Sequence, residues 1–424
     1  RIGKKQTTLV RPILRFTPNE KITGDLVLEY GRTESDGAPS RNIFNPTTLA
    51  SLLYQPSTND LSVLDHSRSF EDNYLEWKHA IAEINWELGS GMLTSVTGWR
   101  DLKQQLGFNG TGTGIALADI EPETLFEHDQ VSQELRYALD VNDSLAVTTG
   151  IYYFDQTARE ALGLSILGGP PSWGDGTIEH QSSAVFAQAD FGLSDNLILT
   201  AGARYTSEEK KARMALRGSC SGFLTDCNYS FIDDEEWSDL SHRVSLQWLL
   251  SDDAQAYLSW NKGFRSGGYN LESTASPGPY DAETVDAYEL GLKADVFEGR
   301  ARFNISLFLN EYNDLQRNVF PPAVNNMLPG QEVLNAAEAE VKGIEAEFTF
   351  LISSSFNLSG TIGFIDDEIM GFEGLDVDGD GQPDPELAKG LKLIRTPDLT
   401  YSLSGVYEID TTFGDLLLRA DYTY

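Results

Sequence analysis

The sequence predicts an all-β fold, a transmembrane antiparallel up-and-down β-barrel, and three observations predict it. Apolar and polar residues alternate with a period of two along much of the chain. The alternating segments are longer than strands of ordinary soluble sheets. The connections between them alternate between short turns and long polar loops.

The alternation is explicit in Leu197/Leu199/Ala201/Ala203/Tyr205, Val244/Leu246/Trp248, Tyr288/Leu290/Leu292/Ala294/Val296, Phe303/Ile305/Leu307/Leu309, Ile344/Ala346/Phe348/Phe350 and Leu416/Leu418/Ala420/Tyr422. Polar residues stand between them, such as Ser245 and Gln247, or Glu289, Lys293 and Asp295. This pattern fits a soluble sandwich as well as a membrane wall, because each has one apolar face. Length separates them: the segments run about 10–20 residues, whereas soluble strands cluster near 5–6 and a membrane strand needs about 9–11 to cross the hydrocarbon.

Short turns are expected at Thr17–Glu20, Gly89–Gly91, Asn142–Ser144, Ser194–Asn196, Ser251–Asp253, Glu298–Arg300 and Ser353–Ser355. Long loops are expected at Thr33–Asp72, Asn109–Glu123, Gly163–Glu179, Arg217–Trp237, Gly268–Asp281, Pro321–Gln331 and Gly371–Lys389. Short turns on one rim and long loops on the other are the layout of outer-membrane barrels. Aromatics near strand ends (Tyr152, Tyr153 and Phe154; Trp260 and Phe264; Phe348 and Phe350) are expected to form interfacial girdles. Counting hairpins gives about 16 strands.

Composition narrows the function. The net charge of -34 and pI near 4.3 exclude the basic footprint of a nucleic-acid binder. No apolar run is long enough for a transmembrane helix. No linker or low-complexity tract divides the 424 residues. The polar opening at Arg1 and the stop at Tyr424 inside a strand lead to the expectation of one barrel domain, 1–424, incomplete at both ends. The histidines His66, His79, His128, His180 and His242 are scattered, and no nucleophile elbow is present, so the chain reads as a non-enzyme.

Two local motifs stand out. Cys220 and Cys227 lie in one polar loop, a spacing that suits a local disulfide in an oxidising compartment. Two independent thiols, or half of a metal site, are the alternatives, although no second Cys or His pair lies nearby to complete such a site. In the run from Asp376 to Asp384, Asp376, Asp378, Asp380 and Asp384 occupy positions 1, 3, 5 and 9 of a calcium loop. Gly381 takes the turn position, and the carbonyl of Gln382 position 7. Leu387 replaces the usual glutamate at position 12, and Glu386 is one place early. A structural Ca²⁺ ion in an external loop is the expected cofactor, ordering the loop or bridging to lipopolysaccharide phosphates; a solvated acidic loop is the alternative.

The segment Tyr257–Asn270 (YLSWNKGFRSGGYN) is followed by Glu283–Lys293 (ETVDAYELGLK) and Asn335–Glu347 (NAAEAEVKGIEAE). Thr396-Pro397 then leads to Leu403–Gly405, and the chain ends on Arg419–Tyr424. In order and spacing these resemble the barrel of TonB-dependent receptors. The resemblance is specific over the last 170 residues or so and one of texture before them. It implies a 22-stranded barrel with an N-terminal plug and a TonB box, of which the strands seen here are the middle part. It further implies residence in a Gram-negative outer membrane among lipid and lipopolysaccharide. The implied work is energised import of a scarce small molecule, most often a ferric siderophore, driven by the TonB–ExbB–ExbD complex. Within that resemblance Gly263, Phe264, Arg265, Gly267, Gly268, Glu289, Gly343 and Glu345 are motif positions. The glycines are expected at kinks, bulges or tight contacts. Arg265, Glu289, Lys293, Glu345 and Glu347 are expected to face the lumen and to pair with the plug or with one another. A passive porin and a secreted soluble β-sheet binding protein are the alternatives.

Overall fold

In a computed structural model of the chain, residues 4–35, 73–107, 120–166, 172–222, 225–271, 277–319, 332–372 and 392–424 are described. Among them there is no helix. Eighteen strands form one sheet: β1 (Lys5–Val10), β2 (Ile13–Asn19), β3 (Ile22–Ser35), β4 (Asn73–Leu88), β5 (Gly91–Gly107), β6 (Ile120–Asn142), β7 (Leu145–Ile166), β8 (Ser172–Ser194), β9 (Leu197–Gly222), β10 (Thr225–Cys227), β11 (Phe231–Ser251), β12 (Ala254–Arg265), β13 (Glu283–Val296), β14 (Ala301–Val319), β15 (Glu332–Ser353), β16 (Phe356–Phe372), β17 (Leu399–Thr411) and β18 (Gly414–Thr423).

Every ladder is antiparallel and joins neighbours along the chain. β1 and β2 both pair with β3, and β10 and β11 both pair with β9, so the eighteen elements make sixteen staves. Pro12 explains the first interruption: it has no N–H to give the ladder, yet its carbonyl still accepts from Leu28 N at 3.1 Å. Among the described residues no second sheet packs on the first, so the soluble sandwich is not the fold adopted.

The register turns the alternation into a surface. A single cross-strand row contains Leu145, Phe191, Leu199, Leu246, Leu258, Leu290, Leu307, Ile344, Phe364 and Leu399, one residue from each of ten consecutive staves. Seven of these residues are 37–56% accessible, with Leu258 at 56% and Leu290 at 50%. Leaving such a side chain half in water forgoes about 1 kcal/mol relative to burial. Seven of them would forgo about 7 kcal/mol, comparable to the whole stability of a domain. Hydrocarbon around the wall removes that cost, and a sheet whose ladders take up its backbone groups is the form in which strands enter it.

Six of the seven short turns fall where the sequence placed them. The first falls later, at Glu20–Lys21, because β2 runs on to Asn19. Side chains cap some of the turns. Lys21 N and Ser144 N each donate to an asparagine Oδ1 two residues back (Asn19 and Asn142), both at 2.9 Å. The upper halves of the staves depart from expectation. β7 runs to Ile166 and β8 starts at Ser172, while β9 reaches Gly222 and β11 begins at Phe231, so most of Gly163–Glu179 and Arg217–Trp237 is strand, not loop. There the inner face is partly covered, with Trp173, Asp175, Thr177, Ala212, Met214 and Trp237 buried, and charged residues interrupt the apolar alternation that would mark the strand. In the β9–β11 ladder Lys210 stands opposite Glu235 and Lys211 opposite Asp234, so unlike charges face each other across the strands. The aromatic girdle is also only partly where expected. Trp260 stacks on Tyr288 at 6.2 Å, Phe303 on Phe348 at 6.4 Å, and Tyr153 is exposed. Tyr152, Phe154 and Phe264 line a hollow of the inner wall, because the two-residue period puts Tyr152 and Phe154 on the opposite face from Tyr153, and the end of β12 leans inward.

Candidate functional site

The face opposite the apolar row is polar. One inner row reads Tyr257, Gly291, Ser306, Glu345, Gly363 and Thr400, and the next reads Gln255, Lys293, Asn304, Glu347, Thr361 and Ser402. Together they line a hollow of about 330 Å³. The Tyr257 hydroxyl donates to Glu289, the Asn304 amide donates to Glu347, and the Lys293 ammonium lies 5.6 Å over the Tyr257 ring. Glu289, Glu345 and Glu347 thus lie on the inner face, as does Lys293. Among the described residues, however, no ion pair joins Arg265, Glu289, Lys293, Glu345 or Glu347 to another of the five. The register puts Glu289 and Glu345 in other rows than Lys293, and Asn304 stands between Lys293 and Glu347 in the row they share. Gly343 admits the Phe308 ring: a Cβ there would stand 2.6 Å from the ring and collide with the Phe364 carbonyl oxygen.

The glycine-rich end of the Tyr257–Asn270 segment does more than relieve the wall. The β11–β12 ladder ends at Arg243↔Asn261. Beyond it Lys262 donates to Asp239 at 2.5 Å and Phe264 packs inward. The chain after Arg265 then folds onto the inner wall before β13 begins. Gly267 lies against the Trp237 indole and the Tyr280 carbonyl so closely that a Cβ would collide with both, and Gly268 exchanges two backbone hydrogen bonds with Tyr280. Gly263 faces Val285, where a Cβ would stand 2.8 Å from the side chain. Arg265 stays exposed.

This connection is pinned on both sides. Toward β9, the Lys210 ammonium donates to the Gly267 carbonyl at 2.5 Å, and Tyr269 joins Ala212, Met214 and Trp237 in a buried apolar cluster. Toward β14 and β15, Asn270 takes a hydrogen bond from Val333 N at 2.7 Å and returns one to Val333 O at 3.0 Å. Gln316 Nε2 donates to the carbonyls of Ser266 and Asp281 at 2.9 and 3.0 Å. Burial, with Asp233 close by, pushes the Tyr269 phenol well above its usual range, and burial raises Tyr280 too. Both stay neutral.

Cys220 and Cys227 form a disulfide at the tip of the β9–β10 hairpin. The acidic run carrying Asp376, Asp378, Asp380, Gln382 and Asp384 lies outside the described residues, as does His66. Among the described residues no three His, Cys, Asp or Glu side chains gather as metal ligands. His79 approaches Glu29 at 3.8 Å, His180 bonds Glu208 at 2.9 Å, His242 sits edge-on to Trp260, and His128 stacks beside Phe126. A second inner hollow, lined by Tyr152, His180, Arg204 and Glu208 among others, was not anticipated. Its residues come from different staves, and only the register brings them together.

The family model for TonB dependent receptor-like β-barrels matches residues 15–424. Among curated proteins, the Pesticin receptor of Yersinia enterocolitica is 24% identical over 299 residues, 69% of this chain and 40% of its own length. The Metal-pseudopaline receptor CntO of Pseudomonas aeruginosa is 25% identical over 167 residues, 39% of this chain and 20% of its own. Among solved structures, the ferric yersiniabactin uptake receptor FyuA from Yersinia pestis superposes with a TM-score of 0.72 at 15% identity, covering 100% of this chain and 59% of that one. The siderophore receptor PiuA from Acinetobacter baumannii gives 0.68 at 14% identity, covering 96% and 62%. The chain therefore spans well under two thirds of the relatives it matches. A wall apolar outside and polar inside, with short turns on one rim and a glycine-rich segment folded into the lumen, agrees with that match: the chain belongs to the TonB-dependent receptor β-barrel family, whose members are transport receptors.

Proposed function

We propose that this chain is the barrel wall of a Gram-negative outer-membrane receptor that imports a scarce metal chelate, a ferric siderophore, with energy from TonB–ExbB–ExbD. The observation that carries this reading is the pairing of a lipid-compatible outer row with a polar, hollowed inner wall in a chain of this family. The similarity to the Metal-pseudopaline receptor CntO and to the ferric yersiniabactin uptake receptor FyuA supports the choice of cargo. In this reading a plug, carried on another segment of the whole protein, docks on the inner rows around Glu289 and Glu345 and couples to TonB. A Ca²⁺ ion held by Asp376, Asp378, Asp380, the Gln382 carbonyl and Asp384 would order an external loop.

The test is accumulation of ⁵⁵Fe-labelled chelates by cells that produce the full-length protein, with TonB present or deleted. Accumulation that requires TonB supports the proposal. Accumulation that continues unchanged without TonB would convert the reading to a passive channel.

A further inference from the structure

The second inner hollow, about 330 Å³, is lined by β7, β8, β9, β11 and the inward end of β12. At its centre is Arg204, whose guanidinium carbon lies 5.2 Å from the Tyr152 ring centroid and 5.5 Å from that of Phe186. Its Nε donates to Thr206 Oγ1 at 3.2 Å, and among the described residues no ion pair engages it. The neighbouring acids are committed elsewhere. Glu208 holds His180 at 2.9 Å and accepts from Ser182 at 3.4 Å, while Glu134 lies 3.4 Å from Arg136. In a chain of net charge -34, an inward arginine held between aromatic rings and without a carboxylate calls for a reason.

Two aromatic rings flank the guanidinium, and the side chain lines the hollow. That is the geometry in which arginine takes a planar anion through two parallel hydrogen bonds. Height along the wall gives the direction of access. Arg204 and Tyr152 are one residue from Tyr205 and Tyr153, which are 49% and 43% exposed on the outer face. Beyond those two the outer face turns polar, with Ser207 and Asp155, so the hollow lies at the long-loop end of the apolar belt, where a molecule entering from outside arrives.

We propose that Arg204, with Tyr152 and Phe186, forms a subsite for a planar organic anion, the carboxylate or phenolate of an aromatic cargo. That the anion belongs to cargo rests on the uptake reading. An acidic side chain from another segment of the protein offers the same chemistry, and the experiment separates the two.

The test is calorimetric titration of the detergent-solubilised full-length protein with salicylate and benzoate, and with their neutral amides, salicylamide and benzamide. The wild type binds the two anions at least tenfold more tightly than the amides, as one charge-assisted pair requires. Arg204→Gln abolishes that preference. Arg204→Lys, which keeps the charge but not the fork, retains part of it and serves where the glutamine variant fails to fold. Equal binding of anion and amide by the wild type, or an unchanged preference in Arg204→Gln, overturns the proposal. Failure of the wild type to bind either anion, together with a lower melting temperature in Arg204→Gln, also overturns it and assigns the arginine to an internal carboxylate. Anion selectivity that depends on Arg204 in a protein that accumulates no chelate would retain the subsite and remove the uptake reading.

Discussion

Leu307 and Ser306 are adjacent in β14 and point to opposite faces, so a lysine at each reads the environment of each face directly. Leu307 pairs with Leu290 on one side and Ile344 on the other, and it is 43% exposed. It lies one row from Tyr288, whose ring stacks on Trp260, and two rows from Phe303, whose ring stacks on Phe348. The six residue steps from Phe303 to Leu309 cover about 20 Å along the strand. With the usual tilt that is about 15 Å of height, inside an apolar band about 25 Å tall. Leu307 is therefore deep in the band, and Leu307→Lys should cost about 2–4 kcal/mol, or about 30-fold to 1,000-fold in the folding equilibrium. Ser306 borders the inner hollow beside Glu345. A lysine there meets the polar lumen and a carboxylate, and Ser306→Lys should cost far less than Leu307→Lys, about 1 kcal/mol or below. The assay is urea unfolding of the full-length protein reconstituted in lipid vesicles, with heat-dependent gel migration as a check on assembly. Equal costs at the two positions, or normal assembly of Leu307→Lys with no loss, would refute the assignment of faces and with it the membrane reading.

Three further outcomes are expected. Gly343→Ala forces a Cβ onto the Phe364 carbonyl and Phe308 ring and should cost about 1–3 kcal/mol, whereas Gly24→Ala, with its nearest atom 3.7 Å away, should be near neutral; urea midpoints compare them. Asn270→Ala removes both hydrogen bonds to Val333 and should weaken protection of 266–271 and 280–282 in hydrogen exchange by about 1–3 kcal/mol, with strand amides unchanged. Uniform loss across the barrel would show instead that the connection is part of the global fold. Calcium titration should show one site of micromolar to millimolar affinity, lost in Asp378→Asn, and heat identical to buffer in the wild type would leave 376–384 a solvated loop.

What the sequence disclosed follows from where each face of the sheet points. Between the girdles one face meets lipid and the other the lumen, so Leu290 and Glu289, or Leu307 and Ser306, announce the strand by contrast. Above them that contrast ends, because the outer face meets water and the inner face is partly covered by other chain. Arg217–Trp237 therefore reads as loop, although residues 217–222 lie within β9 and Phe231–Trp237 within β11. The motif glycines were visible as positions, but not the fold they permit. Lys210 reaches Gly267 across 57 residues of chain and Asn270 reaches Val333 across 63, and no local pattern encodes either contact.

Arg204 was harder still to see. Inside the run Ala201/Ala203/Tyr205 it is one more polar residue on the alternate face, as Gln188 and Asp190 are on β8. What distinguishes it is the company that register gives it. Phe186 lies opposite it on β8, and Ala184, two residues before Phe186, stands opposite both Tyr152 and Thr206. A shift of one residue in the β8–β9 ladder would turn Phe186 away from the guanidinium or carry Arg204 to the lipid face. The apolar row that fixes this register, Leu145–Phe191–Leu199, lies near the short turns, several residues below. The positioning of the proposed anion subsite is therefore set by lipid-facing packing at a distance. Substitutions in that row that keep the barrel assembled but let the β8–β9 pairing slip should weaken anion selectivity before they weaken the fold.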